Sequence, residues 1–230
     1  MTPEARDRLA ARVARDIPEG AYVNLGIGLP TLVANHIPFD REVILHSENG
    51  VLGRWKRPEE SERDGDVINA GKEHIKLLAG ASFFHHADSF AMMRGGHLDY
   101  CVLGAFQVSE CGDLANWHTG DPEAIPAVGG AMDLAAGARK VYVLMQHVGK
   151  GNVHKILKHC TYPLTGIACV TRIYTDLAVI DVRPDGLTVI EMSPDVTHEQ
   201  LREATGAPLT FDIPTAAVDD SGIPSLTGFP

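Results

Sequence analysis

The chain has 230 residues, 44% of them hydrophobic and 22% charged, a composition that sustains a packed core and excludes disorder as the dominant state. Thirty acidic residues against twenty Lys plus Arg give a formal net charge of -10, which excludes nucleic-acid or anionic-membrane binding through bulk electrostatics. A polyanion would need a local basic pocket.

No stretch approaches the length of an apolar membrane span. Met1-Thr2-Pro3-Glu4-Ala5-Arg6 opens a charged amphipathic segment rather than an apolar leader, so a cytoplasmic location is expected. The length suits one domain, placed here over residues 1–207 with an extended tail over 208–230. Cys101, Cys111, Cys160 and Cys169 show no zinc-type spacing, so reduced, mostly buried thiols and no metal are expected.

In chain order, Pro3 and the helical spacing of Leu9, Val13 and Ile17 predict an amphipathic helix over 3–17, ended by Pro18-Glu19-Gly20. Ala21 to Leu25 is a short apolar strand. It is followed by the turn Gly26-Ile27-Gly28-Leu29-Pro30 and a helix opening near Thr31. Val43 to Leu45 makes a second strand, whose end delivers His46-Ser47-Glu48-Asn49-Gly50. Such strand ends host sites in open α/β sheets.

Arg54 to Asp66 is dominated by charged residues and Pro, which predicts a solvated surface loop. Phe83-Phe84 and Met92-Met93 are expected in the core. Apolar runs at Tyr100 to Leu103, Val141 to Met145 and Leu177 to Ile180 predict buried strands. Arg183-Pro184-Asp185-Gly186 joins two strands into a hairpin, and Thr197 with Gln200 forms a capping box for a short helix. The expected class is α/β, with an open, mostly parallel sheet and flanking helices.

Three segments carry more glycine and small polar residues than packing requires: Asn24 to Thr31, His46 to Gly50, and Ala127 to Asp133. Glycines let backbone approach a ligand and free N–H groups to face negative charge. Gly26-x-Gly28 lacks the third glycine of a dinucleotide fingerprint and the lysine of a P-loop. Taken alone, Glu48 could be a surface carboxylate or cap, and Lys72 a solvated lysine. His85, His86 and Asp88 lack an outer partner for a metal site, and His154 with His159 do not form a zinc-protease pattern.

The combination is more specific. His46-Ser47-Glu48-Asn49-Gly50-Val51-Leu52-Gly53 resembles the segment around the catalytic glutamate of family I CoA-transferases, in their B (beta) subunit. The resemblance continues through Asp66 to Lys72, Ser89 to His97, Gly112 to Trp117, Gly129 to Leu134 and Cys160 to Gly166, which is nearly the whole chain except the tail. Phe84 to Ser89 and Trp117 to Gly120 resemble the 3-oxoadipate branch of the family, whereas Gly149 to Ile156 is similar to the acetoacetate branch. One departure stands out: Arg54-Trp55-Lys56-Arg57 replaces a small, glycine-containing segment. It could contact a dicarboxylate or the phosphates of coenzyme A, although surface variation is the simpler reading.

The resemblance implies a CoA-transferase-like fold and ping-pong transfer of coenzyme A from succinyl-CoA to a 3-oxo acid, 3-oxoadipate before acetoacetate. The acyl-CoA is a substrate and no cofactor is implied. Glu48 would be the nucleophile, and Gly130, with Gly129, a backbone oxyanion donor. Asn24, Gly26, Gly28, Asn49 and Lys72 would line the coenzyme A site. An A (alpha) subunit would supply the other wall in a hetero-oligomer. The competing reading from another class is a ligand-binding subunit that kept the scaffold without catalysis.

Overall fold

The computed structural model describes residues 1–213 apart from Pro122, Ala124 and Ala127. Its elements are α1 (Pro3–Arg15), β1 (Tyr22–Leu25), β2 (Ile44–Ser47), β3 (Val51–Gly53), β4 (Trp55–Lys56), β5 (Lys76–Leu77), β6 (Ser82–Phe83), α2 (His86–Arg94), β7 (Tyr100–Leu103), β8 (Gln107–Ser109) and β9 (Leu114–Ala115). There follow α3 (Ala131–Gly137), β10 (Lys140–Leu144), β11 (Ile156–Leu157), β12 (Val170–Tyr174), β13 (Ala178–Arg183), β14 (Gly186–Met192), α4 (His198–Glu203) and β15 (Leu209–Phe211).

Ten strands form one sheet in the order β15-β14-β13-β12-β10-β7-β1-β2-β3-β6. The five central strands, β12-β10-β7-β1-β2, run parallel. β3 and β6 extend one edge antiparallel, while β13 and β14 extend the other as the expected hairpin. The open, mostly parallel α/β sheet is therefore present.

Side-chain alternation along the central strands explains why both faces are covered. On β7, Cys101 and Leu103 enter the core beneath α2 and α3, and Tyr100 and Val102 enter the core beneath α1. On β10, Val141 and Val143 take the first face, Tyr142 and Leu144 the second. α1 begins where Thr2 caps the Ala5 N–H at 3.2 Å with Pro3 in the first turn, and it buries Leu9, Ala10, Val13 and Ala14. α4 carries the Thr197–Gln200 capping box.

Several elements differ from the sequence expectation. The segment after β1 forms a 3-10 helix, Leu29–His36, rather than an α-helix opening near Thr31. Within Arg54 to Asp66, Trp55–Lys56 pairs with Lys76–Leu77 and Trp55 enters the α1-side core, because a lone indole in a polar run gains more from burial than exposure. Met93 is buried as expected, but Phe83 stands 65% exposed on the edge strand β6, where no further strand among the described residues covers it. The four thiols are free; Cys101 is fully buried and Cys111 is exposed. From the expected tail, Leu209–Phe211 instead pairs parallel with β14, its apolar Leu209 closing the sheet edge. Residues 214–230 of that tail lie outside the described residues.

Candidate active site at the strand ends

The parallel strands β1 and β2 end side by side, with Asn24 in register with His46. Two residues later the chain reverses through Glu48-Asn49-Gly50 and returns as β3. The reversal is pinned from three sides. Ser47 Oγ accepts the Ala70 N–H at 2.9 Å, Asn49 Nδ2 donates to the Ile68 carbonyl at 2.8 Å, and Phe84 N–H donates to the Gly50 carbonyl at 3.0 Å. Gly50 has φ +110°, and a Cβ there would lie 2.2 Å from the Phe84 carbonyl oxygen. Only glycine fits that turn.

Below it, His46 is 1% exposed. Asn24 Nδ2 donates to His46 Nδ1 at 3.0 Å and to the His46 carbonyl at 3.2 Å. Because Nδ1 accepts, the ring proton sits on Nε2 and donates to Ser89 Oγ at 2.9 Å. Burial lowers the His46 pKa to about 4, so the ring is neutral at pH 7. Asn24, 2% exposed, therefore holds β2 in place and does not face solvent.

The Glu48 carboxylate is aimed at the start of α3. A Cβ placed on Gly130 would lie 2.6 Å from Glu48 Oε2, 3.2 Å from its Cδ and 3.5 Å from Phe90 Cζ. Glu48 Oε2 is buried and has no hydrogen-bond partner among the described residues. Burial raises the Glu48 pKa above the usual carboxylate value; Asp133 adds to the rise and His86 opposes it. Asp133 is itself paired with Arg94 at 2.6 Å, and His86 stands edge-on to Phe90 with centroids 4.9 Å apart. An unpaired, partly desolvated carboxylate of this kind has lost the hydration that makes an aqueous carboxylate a poor nucleophile.

Among the residues singled out from sequence, Glu48 and Gly130 are in contact and Gly129 adjoins them with φ +49°. Asn24 and Asn49 brace the turn. Gly26 continues β1 and donates to the Val102 carbonyl at 2.8 Å, and exposed Gly28, φ +91°, opens the 3-10 helix. Lys72 is exposed and lines a neighbouring cleft that Glu48 does not line. His85 Nδ1 accepts the Ala87 N–H at 3.1 Å and caps α2. Among the described residues no three His, Cys, Asp or Glu side chains are placed to hold a metal ion.

His46, Ser89, His86, Phe90 and Asp133 were not foreseen as site residues. The signal available for His46 was a polar residue at an inward-facing strand position, which needs a partner wherever it is buried. His86 and Asp133 reach Glu48 only through tertiary packing, which no local pattern encodes.

The strand ends thus bring a partly buried carboxylate against a glycine at a helix start. A coenzyme A transferase family model matches residues 6–204. The chain belongs to the coenzyme A transferase family.

The B subunit of the 3-oxoadipate CoA-transferase of Pseudomonas putida KT2440 is 63% identical over 205 residues, covering 89% of this chain and 96% of the relative. The B subunit of the succinyl-CoA:3-ketoacid coenzyme A transferase of Helicobacter pylori 26695 is 48% identical over 202 residues, covering 88% and 97%. In fold, the chain is similar to an acyl-CoA transferase from Escherichia coli O157:H7, with TM-score 0.71, 20% identity, and coverage of 90% of this chain and 42% of that structure. No helix among the described residues is long and apolar enough to cross a membrane.

Proposed function

We propose that this chain is the nucleophile-bearing subunit of a transferase that moves coenzyme A from succinyl-CoA to a 3-oxo acid, 3-oxoadipate in preference to acetoacetate. The observation that carries the reading is the buried Oε2 of Glu48 against Gly130, unpartnered among the described residues. The choice of acid is supported by 63% identity to a 3-oxoadipate enzyme against 48% to a 3-ketoacid enzyme.

Glu48 attacks the thioester carbonyl, the C–S bond breaks, and an acyl-glutamyl anhydride forms with release of the coenzyme A thiolate. The thiolate attacks the glutamyl carbonyl, succinate departs, and coenzyme A is left as a thioester on Glu48. The carboxylate of the incoming 3-oxo acid attacks that thioester and releases the thiolate again. The thiolate then attacks the acceptor's acyl carbonyl and frees Glu48.

Every nucleophile and leaving group is an anion, so no proton has to move. A neutral, buried His46 suits this chemistry because its task is to hold the strand end rather than to titrate. Each tetrahedral intermediate carries an oxyanion. The backbone around Gly130, at the start of α3, is the donor closest to hand, and one such donor typically lowers the barrier by about 3 kcal/mol. Positions without side chains at 129 and 130 leave room for the acyl group beside Glu48.

The anhydride must be kept from water, and this chain alone leaves the strand-end face open. Ile27, Phe106 and Met132 are exposed there. Exposed apolar side chains around a site mark a surface that another chain covers, and an A-type subunit is the proposed occupant.

The test is activity of the chain reconstituted with that partner. Glu48→Ala is expected to abolish transfer from succinyl-CoA while leaving folding and assembly intact, and wild-type enzyme is expected to show a higher kcat/KM for 3-oxoadipate than for acetoacetate. Transfer at the wild-type rate by Glu48→Ala would sink the mechanism. A higher kcat/KM for acetoacetate would replace the acceptor.

A further inference from the structure

Helix α2 presents His86, Phe90 and Arg94, each four residues from the next, along one stripe that runs past the start of α3. Phe90 is the member nearest the chemistry: its Cζ lies 3.5 Å from the point a Gly130 Cβ would occupy, and Glu48 Oε2 lies 2.6 Å from that same point. His86 stands edge-on to the phenyl ring with centroids 4.9 Å apart, and the Arg94 guanidinium lies 5.5 Å from the ring centroid.

The two basic side chains differ in what they have left to bind. Arg94 is paired with Asp133 at 2.6 Å, and that carboxylate repels any second one brought to the pair. His86 is exposed, and the capping of α2 falls to its neighbour His85, whose Nδ1 accepts the Ala87 N–H at 3.1 Å. An imidazole offers an N–H donor in either protonation state. His86 also favours the ionised form of Glu48, so it stands within electrostatic reach of the reacting carboxylate.

The order Glu48, Phe90, His86 matches the shape of a dicarboxylic acid. The carboxyl that receives coenzyme A must lie against Glu48, and in 3-oxoadipate the far carboxylate is five carbon–carbon bonds further on. Three extended backbone bonds span about 3.5 Å, so five span roughly 6 Å, about the step past one phenyl ring. Acetoacetate ends in a methyl group three bonds from its carboxyl carbon and stops at the ring. We infer that His86 determines specificity for a dicarboxylic acceptor, donating an imidazole N–H to the far carboxylate of the 3-oxo acid while Phe90 packs against its methylene carbons. The inference deepens the transfer to 3-oxoadipate proposed above and rests on it.

The test compares 3-oxoadipate with 3-oxohexanoate, which has the same carbon chain with a methyl group in place of the far carboxylate, as acceptors for the reconstituted enzyme carrying His86→Ala. In a ping-pong reaction kcat/KM for the acceptor reports only the half-reaction of the coenzyme A-loaded enzyme, so succinyl-CoA drops out of the ratio. Any loss acting through Glu48 is common to both acids and cancels as well. Wild-type enzyme is expected to prefer 3-oxoadipate, and His86→Ala to shrink that preference about tenfold or more. His86→Gln, which keeps an N–H donor, should restore part of it, whereas His85→Ser, which keeps a capping side chain, should leave the ratio at the wild-type value. If His86→Ala does not fold, His86→Ser, too short to reach the acid, reads the same ratio. An unchanged ratio in the folded variant overturns the inference and leaves the transfer reading standing. Wild-type enzyme that favours acetoacetate over 3-oxoadipate would instead defeat the acceptor reading itself, so the two failures are distinguishable.

Discussion

Gly130→Ala displaces the Glu48 carboxylate and narrows the space for the acyl group while leaving the rest of the fold unchanged. Gly130 has φ -87° and ψ 6°, which alanine adopts without strain, so the backbone need not change. The added methyl would meet Glu48 Oε2 at 2.6 Å, whereas ordinary contacts begin near 3.4 Å, so the carboxylate must retreat by roughly 0.8 Å. Because the obstructing atom is the tip of a flexible side chain, Tm is expected to stay within about 2 °C of wild type, the shift that a few tenths of a kcal/mol produces. A nucleophile displaced by about 1 Å loses on the order of a hundredfold in rate, which is the expected fall in kcat with succinyl-CoA.

Gly129→Ala makes the opposite exchange. Its φ is +49° and a Cβ there meets nothing within 4 Å, so the variant pays about 1 kcal/mol of backbone strain without touching Glu48 directly. A Gly130→Ala enzyme with kcat within threefold of wild type, at unchanged Tm, would refute the placement of the carboxylate.

Glu48→Gln should be inactive yet at least as stable as wild type at pH 7, since it replaces a partly buried charge that burial disfavours with a neutral amide of the same shape; urea unfolding measures this. The raised Glu48 pKa also predicts that kcat/KM falls with acid through a midpoint above the ordinary carboxylate value of 4.5, because only the ionised form attacks; a lower midpoint would contradict the burial argument. His147 is buried between the Thr175 and Thr205 hydroxyls, each at 2.9 Å, and burial lowers its pKa to about 4. Below pH 6.5 the unfolded chain binds a proton that the folded state refuses until about pH 4, so stability falls across that window by about 2 kcal/mol per buried histidine by pH 5. His147→Gln should remove that residue's share of the pH slope.

Asp16 accepts from Arg12 at 2.7 Å, Arg172 at 2.8 Å and the Tyr174 hydroxyl at 2.7 Å. Burial works against its ionised form, but the bonds from Arg12 and Tyr174 outweigh it and hold the pKa below the usual carboxylate value. Its stabilisation is present at neutral pH and lost as pH falls below the ordinary carboxylate range. Asp16→Ala is expected to cost about 2 kcal/mol, or roughly 5 °C in Tm by calorimetry.

The elements most legible in the sequence were those whose own residues dictate them. Thr2, Pro3 and the spacing of Leu9 and Val13 specify α1, while Thr197 with Gln200 specifies α4. The central strands read clearly because burial on both faces leaves continuous apolar runs such as Tyr100 to Leu103. What escaped was decided at a distance. Trp55 goes inside because α1 and the 3-10 helix offer it an apolar wall, and Phe83 stays outside because its strand is an edge.

The site divides along the same line. The turn Glu48-Asn49-Gly50 is legible as polar residues and a glycine after an apolar run, and in the structure that glycine takes a positive φ. The partners that set its chemistry come from α2 and from the start of α3, far along the chain. Asn24 shows the limit most plainly: a polar residue in a strand signals a role, but its bond to buried His46 is made only by packing.

The central claim is that the carboxyl carbon of Glu48 becomes covalently bonded to the sulfur of the transferred coenzyme A. The direct measurement is peptide mass spectrometry of the reconstituted enzyme after incubation with succinyl-CoA and reduction by borohydride, which converts a glutamyl thioester to the alcohol. The account predicts that mass change on Glu48 and its absence when the 3-oxo acid has first discharged the enzyme. Reduction at a different residue, or full turnover with Glu48 never modified, would contradict it.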